Sequence, residues 1–153
     1  MEPEHLLPHI VECRERGLTT VFANGCFELL HVGHVRYLQA ARELGDVLIV
    51  AVNTDQSISV IKPDRNPVNP DVERMELLAA MECVDYVVPL REETPERLLR
   101  LFEPQIHTKG TDYTLEEIPE RPVVESYGGR VELVGGPNVR NTRDMLRELK
   151  SRQ

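Results

Sequence analysis

Residues 47–52, Val-Leu-Ile-Val-Ala-Val, form an apolar run with no polar side. A half-exposed strand alternates, so an unbroken run must be covered on both faces, as inner strands of a parallel sheet are. A parallel neighbour needs a crossover of a dozen residues or more, normally a helix. The chain supplies both parts. Thr19-Thr20-Val21-Phe22-Ala23 reads as a strand ended by Asn24-Gly25, and residues 35–44 read as the helix between. This is a βαβ unit.

The alternation continues. Val72, Met75, Leu78 and Ala79 predict a helix over 71–82, and 86–88 reads as a short strand. A helix over 95–102 and a strand over 105–108 follow. Residues 130–134 alternate as a fifth strand, and 142–150 close as a helix with Met145, Leu146 and Leu149 on its apolar side. Met75, Met81 and Met145 are expected in the core. Ahead of all this, residues 4–16 predict an amphipathic helix with Leu6, Leu7, Ile10 and Val11 on one side and Gly17 as its stop. The proline-rich stretch 62–70 reads as a loop inside the domain. The expectation is one domain over 1–153, with 1–17 a helical extension, built as a doubly wound parallel five-stranded α/β sheet of Rossmann-like type. In such sheets ligands bind beyond the carboxyl ends of the strands, where the strand order reverses.

Composition narrows the partners. The formal net charge of −8 argues against nucleic acid, which requires a cationic footprint. Cys13, Cys26 and Cys83 are an odd, scattered set with no C-x-x-C spacing, which fits a reducing cytoplasm better than a disulfide framework or zinc site. No apolar stretch approaches the roughly 20 residues of a bilayer span, so no membrane role is expected. Met1-Glu2-Pro3-Glu4-His5 does not resemble the basic start of a signal peptide.

After the first strand comes Asn24-Gly25-Cys26-Phe27-Glu28-Leu29-Leu30-His31-Val32-Gly33-His34. Gly25 and Gly33 allow backbone to approach a ligand closely. His31 and His34 are three apart and share a face near the first turn of the next helix. A helix start presents unpaired N–H groups and positive potential, which favour phosphate, and two imidazoles add donors. Zinc is disfavoured, because no third ligand lies at metal spacing.

The H-x-G-H segment 31–34, with Asn24-Gly25-Cys26-Phe27 before it, resembles the cytidylyltransferase-like nucleotidyltransferases. Lys109-Gly110-Thr111-Asp112-Tyr113-Thr114 looks more narrowly like the adenylyltransferase domain of heptose-phosphate enzymes, and the likeness runs over residues 19–150. It implies transfer of AMP from ATP to a phosphorylated sugar, D-glycero-D-manno-heptose 1-phosphate, giving ADP-heptose for lipopolysaccharide and releasing pyrophosphate. Magnesium would arrive with the triphosphate. The acceptor phosphate is already anionic, so positioning and charge neutralisation carry the catalysis.

The resemblance gives His31, His34 and Lys62 catalytic roles at the phosphates. It places Asn24, Gly25, Cys26, Phe27, Gly33, Arg74, Lys109, Gly110, Asp112, Asn141 and Thr142 at the nucleotide. Glu28, Asn53, Asp55, Arg140 and Arg143 would meet the acceptor. It also allows a homo-oligomer. Two departures stand out: Glu28 replaces the usual aspartate, and Asn141-Thr142-Arg143 replaces a hydroxyl triplet at the start of the last helix. Arg140 and Arg143 bring cations there, and arginine can bond phosphate bidentately. CTP with glycerol 3-phosphate or another polyol phosphate, ATP with a flavin or pantetheine phosphate, and a non-catalytic nucleotide-binding module remain alternatives.

Overall fold

All four strand pairings in the computed structural model are parallel, and the strand order is β3-β2-β1-β4-β5. The structure describes residues 1–135 and 142–153. Helix α1 (Pro3–Glu15) leads into β1 (Thr20–Gly25), α2 (Val32–Glu43), β2 (Val47–Asn53), α3 (Asp55–Ile61) and α4 (Asp71–Ala79). Then come β3 (Tyr86–Leu90), α5 (Glu96–Phe102), β4 (Ile106–Gly110), a 3-10 turn (Leu115–Glu117), α6 (Arg121–Ser126), β5 (Arg130–Val134) and α7 (Thr142–Ser151). This is the doubly wound α/β sheet expected from the sequence. The chain steps outward through β1, β2 and β3, then returns to the other side of β1 for β4. The order therefore reverses between β1 and β4, and a crevice opens there beyond the strand ends.

The two-residue period of the strands divides the core into two layers. Val21, Ala23, Leu48, Val50 and Val52 face Leu38 and Ala41 of α2 and Leu78 of α4. Phe22, Ile49 and Ala51 face Leu6 and Ile10 of α1, Leu98, Leu99 and Phe102 of α5, and Val123 and Val124 of α6. Every residue of β2 is buried, as its apolar run demanded.

Several local expectations are corrected. Helix α1 buries Pro3, Leu6, Ile10 and Cys13, while Val11 is exposed, so the inward stripe is rotated from the expected one. In α4, Val72 is 66% exposed and Ala79 is also exposed; the buried residues are Arg74 and Leu78. Met75 and Met81 pack against the core only partly buried, and Leu149 of α7 is exposed. Helix α2 begins at Val32, three residues before the expected start, and β1 and β4 run on through Gly25 and Gly110. Helices α3 and α6 were not anticipated.

Because Leu6 is fully buried among Phe22-side residues, α1 contributes to the core. Leu6→Ala should lower unfolding free energy by about 2–5 kcal/mol in urea titrations. A loss below about 0.5 kcal/mol would mean that the helix is not an integral layer.

Candidate active site

The β1–α2 loop makes a tight turn under the crevice. Phe27 adopts φ +50°, a conformation that costs a bulky residue about 1–3 kcal/mol. Its ring is held by packing: it is 5% exposed, lies 3.1 Å from where a Cβ on Gly25 would stand, and meets the His34 ring edge-on at 5.2 Å between centroids. Gly25 is therefore needed for close approach, and the turn delivers the chain to the start of α2.

His31 is the N-cap of α2. Its Nδ1 accepts the Gly33 N–H at 3.1 Å, and His34 Nδ1 accepts the His31 N–H at 3.3 Å. The two rings stack at 3.9 Å. Side chains at a helix start ordinarily satisfy orphan N–H groups with an oxygen; here imidazole nitrogens do so. Each Nδ1 is an acceptor and carries no proton, so each ring proton sits on Nε2. Burial, then the neighbouring His31, pulls the His34 pKa down to about 4. His34 is thus a neutral donor at physiological pH.

Two cations lean on Glu28, which is 5% exposed. Lys62 Nζ is 3.0 Å from Oε1, and Arg65 Nε is 3.0 Å from Oε2. This joins the loop after α3 to the loop after β1. Arg74, expected at the nucleotide, is instead fully buried. Its Nη1 donates to the carbonyls of Cys26 and Asn53, Nε donates to the Asn69 carbonyl at 3.0 Å, and Nη2 pairs with Asp55 Oδ1 at 2.7 Å. The guanidinium ties the ends of β1 and β2 together from below and has no path to a ligand.

Glu28, Asn53 and Asp55, expected to meet the acceptor, all have polar atoms engaged within the protein. Asn53 donates to Ser57 Oγ at 3.2 Å and receives the Cys26 thiol at 3.8 Å. Asp55 and Asp71 each accept the other's backbone N–H, joining the starts of α3 and α4. Burial raises the Cys26 thiol pKa, so it remains protonated and is not a nucleophile.

On the other side of the crevice, Lys109 of β4 reaches toward Asn24 of β1, with Nζ 3.4 Å from Oδ1. It is held by Glu120, whose Oε1 lies 3.1 Å from Lys109 Nζ and 2.9 Å from His107 Nε2. Burial works to protonate Glu120, but the His107 hydrogen bond and the Lys109 charge hold its pKa near 2. Burial also pushes His107 down, so His107 is neutral and donates from Nε2. At the end of β4, the exposed Asp112 carboxylate folds into the space that a Cβ at Gly110 would take.

The structure thus brings Asn24, Gly25, Phe27, His31, Gly33, His34, Lys62, Lys109, Gly110 and Asp112 to the carboxyl ends of β1, β2 and β4 and the loops that follow them. Arg140 and Asn141 lie outside the described residues, and Thr142 and Arg143 are the first two residues of α7. Sequence reasoning missed Arg65, His107 and Glu120. Only proximity in the fold assigns them, although the Lys109-Gly110 motif marked where a partner for Lys109 was to be sought.

Among the described residues no group of three His, Cys, Asp or Glu side chains converges, and both Glu28 oxygens are engaged by cations.

Two outcomes follow from the buried charges. Arg74→Met should cost about 3–5 kcal/mol in urea, because it leaves two carbonyls and Asp55 without their donor; a loss under 1 kcal/mol would remove its bracing role. Glu120 titrates near 4.5 when unperturbed and near 2 in the fold, so its stabilisation is complete above pH 4.5 and is lost as pH falls through 2. Comparing unfolding free energies of wild type and Glu120→Gln from pH 2 to 6 should show that part of the slope missing in the variant. An unchanged slope would contradict the pairing.

Comparison with known proteins agrees with this geometry. The Cytidylyltransferase-like family model matches residues 22–145. "Bifunctional protein HldE" of Geotalea uraniireducens is 47% identical over 138 residues, covering 90% of this chain and 28% of that protein. The protein of the same name from Geobacter metallireducens is 48% identical over 141 residues, covering 92% of this chain and 29% of that protein. The chain therefore spans just over a quarter of the length of the curated relatives it matches. The crystal structure of a lipopolysaccharide core biosynthesis protein from Thermoplasma volcanium superposes with a TM-score of 0.66 at 26% identity, covering 79% of this chain and all of that one. With its H-x-G-H helix start set beside the β1/β4 crevice, this chain belongs to the cytidylyltransferase-like family.

Proposed function

We propose that the chain is a nucleotidyltransferase that moves AMP from ATP to a sugar 1-phosphate of the heptose class, forming an ADP-sugar and pyrophosphate. The observation that carries this reading is the His31–His34 cap: two Nε2–H donors at a helix start beside the switch point. The solved Thermoplasma volcanium structure, a lipopolysaccharide core biosynthesis protein, supports a lipopolysaccharide sugar as the acceptor class. An oxygen of the acceptor phosphate attacks the α-phosphorus, the bond to the β-phosphate bridging oxygen breaks, and that oxygen leaves with pyrophosphate.

The residues divide the work by charge. His31 and His34 donate to oxygens that gain charge in the transition state, and Lys62 and Lys109 neutralise the phosphates from either side of the crevice. The helix α2 start adds its dipole. A neutral imidazole donor suits this role, because no proton has to be removed from the acceptor phosphate. Magnesium belongs to the incoming triphosphate. No helix among the described residues is long and apolar enough to cross a membrane; with the unpaired thiols, this supports work in a reducing cytoplasm.

Pyrophosphate release should be measured with ATP and CTP crossed against heptose 1-phosphate and glycerol 3-phosphate. Turnover confined to ATP with heptose 1-phosphate is expected, and CTP-only turnover would move the assignment to a cytidylyltransferase. His31→Ala or His34→Ala should each lower kcat by roughly 10²–10³-fold. Since His34 stays neutral down to about pH 4, kcat should show no His34-dependent step between pH 5 and 9. A step in that range that disappears in His34→Gln would contradict the neutral-donor role.

A further inference from the structure

The sheet splits along one seam. Strand β1 pairs with β2 as far as Gly25 against Val52, and β4 pairs with β5 as far as Gly110 against Val134. Among the described residues, β1 and β4 pair only at Val21 against Ile106 and at Phe22 against His107. Residues 23–25 and 108–110 are therefore held on their outer sides and parted from each other, and the crevice opens between them. Buried backbone groups at such an end need partners other than a ladder. Thr108, the first residue past the last β1/β4 pair, supplies one. It is fully buried, and its hydroxyl donates to the Phe22 carbonyl at 3.0 Å. Tyr37 reaches the same place from α2: its hydroxyl stands 3.0 Å from the Thr108 carbonyl and 3.0 Å from Thr108 Oγ1. A hydroxyl has one proton. Thr108 gives its proton to Phe22, so Tyr37 is the donor to Thr108. Burial pushes the Tyr37 phenol far above its usual pKa, against the pull of the Thr108 hydrogen bond, so that proton stays in place at neutral pH.

We propose that Tyr37 and Thr108 are positioning residues: their hydroxyls pin the seam where β1 and β4 part, and so fix the spacing between the histidines of α2 and Lys109 of β4. Tyr37 follows His34 by three residues on the same helix face, and Thr108 immediately precedes Lys109. Both act through these neighbours. Their place in the reaction rests on the nucleotidyl-transfer reading, but the pin itself does not. Without the pin the two strand ends move independently. A bound nucleotide then has to order them, which weakens affinity; once it is bound, the ends stand where they stood before.

The test compares the full chain with Tyr37→Phe, Thr108→Val and Thr108→Ser, each under conditions where it is folded. Tyr86→Phe, the same change on edge strand β3, is the control. Amide hydrogen exchange without ligand reads the pin. In Tyr37→Phe and Thr108→Val, exchange should quicken at residues 23–25 and 108–110 and stay unchanged at 49–52 of β2. Calorimetric titration with ATP reads its consequence. Each of these two variants should bind ATP about fivefold more weakly, the loss of one neutral hydrogen bond, with the control within about twofold. With ATP and heptose 1-phosphate, KM for ATP should rise by the same factor while kcat stays within about twofold. Thr108→Ser keeps the hydroxyl and should restore affinity and exchange to wild-type values. If Tyr37→Phe fails to fold, the Thr108→Val and Thr108→Ser pair decides.

Wild-type exchange at the two strand ends, wild-type ATP affinity in both variants, or a Thr108→Ser protein as weak as Thr108→Val would each overturn the positioning role. The two readings fail separately. Pin-dependent exchange and ATP binding without AMP transfer would contradict the proposed reaction alone. AMP transfer with ATP affinity and KM unchanged in the variants would contradict the pin alone.

Discussion

The first turn of a helix leaves backbone N–H groups without partners, and in α2 two imidazoles take them up. The rest of the site depends on this cap. It fixes both rings in one stacked pair, sets their tautomer, and aligns the histidines with the helix dipole. A hydroxyl or carboxylate cap would hold the helix equally well but would leave no N–H donors at that place. The strained turn at Phe27 is the local cost, and the ring that turns there braces His34 edge-on.

Around this cap the molecule places buried charges in pairs. Arg74 lies beneath the ends of β1 and β2, and Glu120 lies beneath β4. An isolated buried charge would neutralise itself or unfold its surroundings. Here each is paired, Arg74 with three carbonyls and Asp55, and Glu120 with His107 and Lys109, so the charge becomes a rigid joint. The two joints sit on opposite sides of the β1/β4 crevice. They fix the strand ends between which a ligand would lie, while Lys62 and Lys109 remain nearer the surface, where a phosphate can reach them.

The fold was legible where one residue pattern had one physical outcome. The apolar run of β2 allows no exposed face, and it led directly to a parallel sheet. Helix α3 was hidden because Asp-Gln-Ser-Ile-Ser-Val-Ile is short and mostly polar; its start is secured by Asp71, 16 residues away. Helix α4 misled because its buried stripe runs through an arginine. Arg74 and Leu78, four apart, point inward, so Val72 points outward. At the site, the H-x-G-H histidines were readable from spacing and family resemblance together. The partners were not. Lys62 meets Glu28 across 34 residues, and Arg74 meets Cys26 across 48. Resemblance named Arg74 as a ligand residue, whereas its burial makes it part of the frame.

The central claim is that the fold consumes Nδ1 of both histidines and presents Nε2–H to phosphate. Long-range nitrogen–proton correlation spectra of the imidazoles at pH 7, recorded with and without ATP, test it most directly. The account predicts Nε2–H tautomers for His31 and His34 in the free protein, with both Nε2 resonances shifting when ATP binds. An Nδ1–H tautomer at either ring, an imidazolium at His34, or Nε2 signals indifferent to ATP would contradict it.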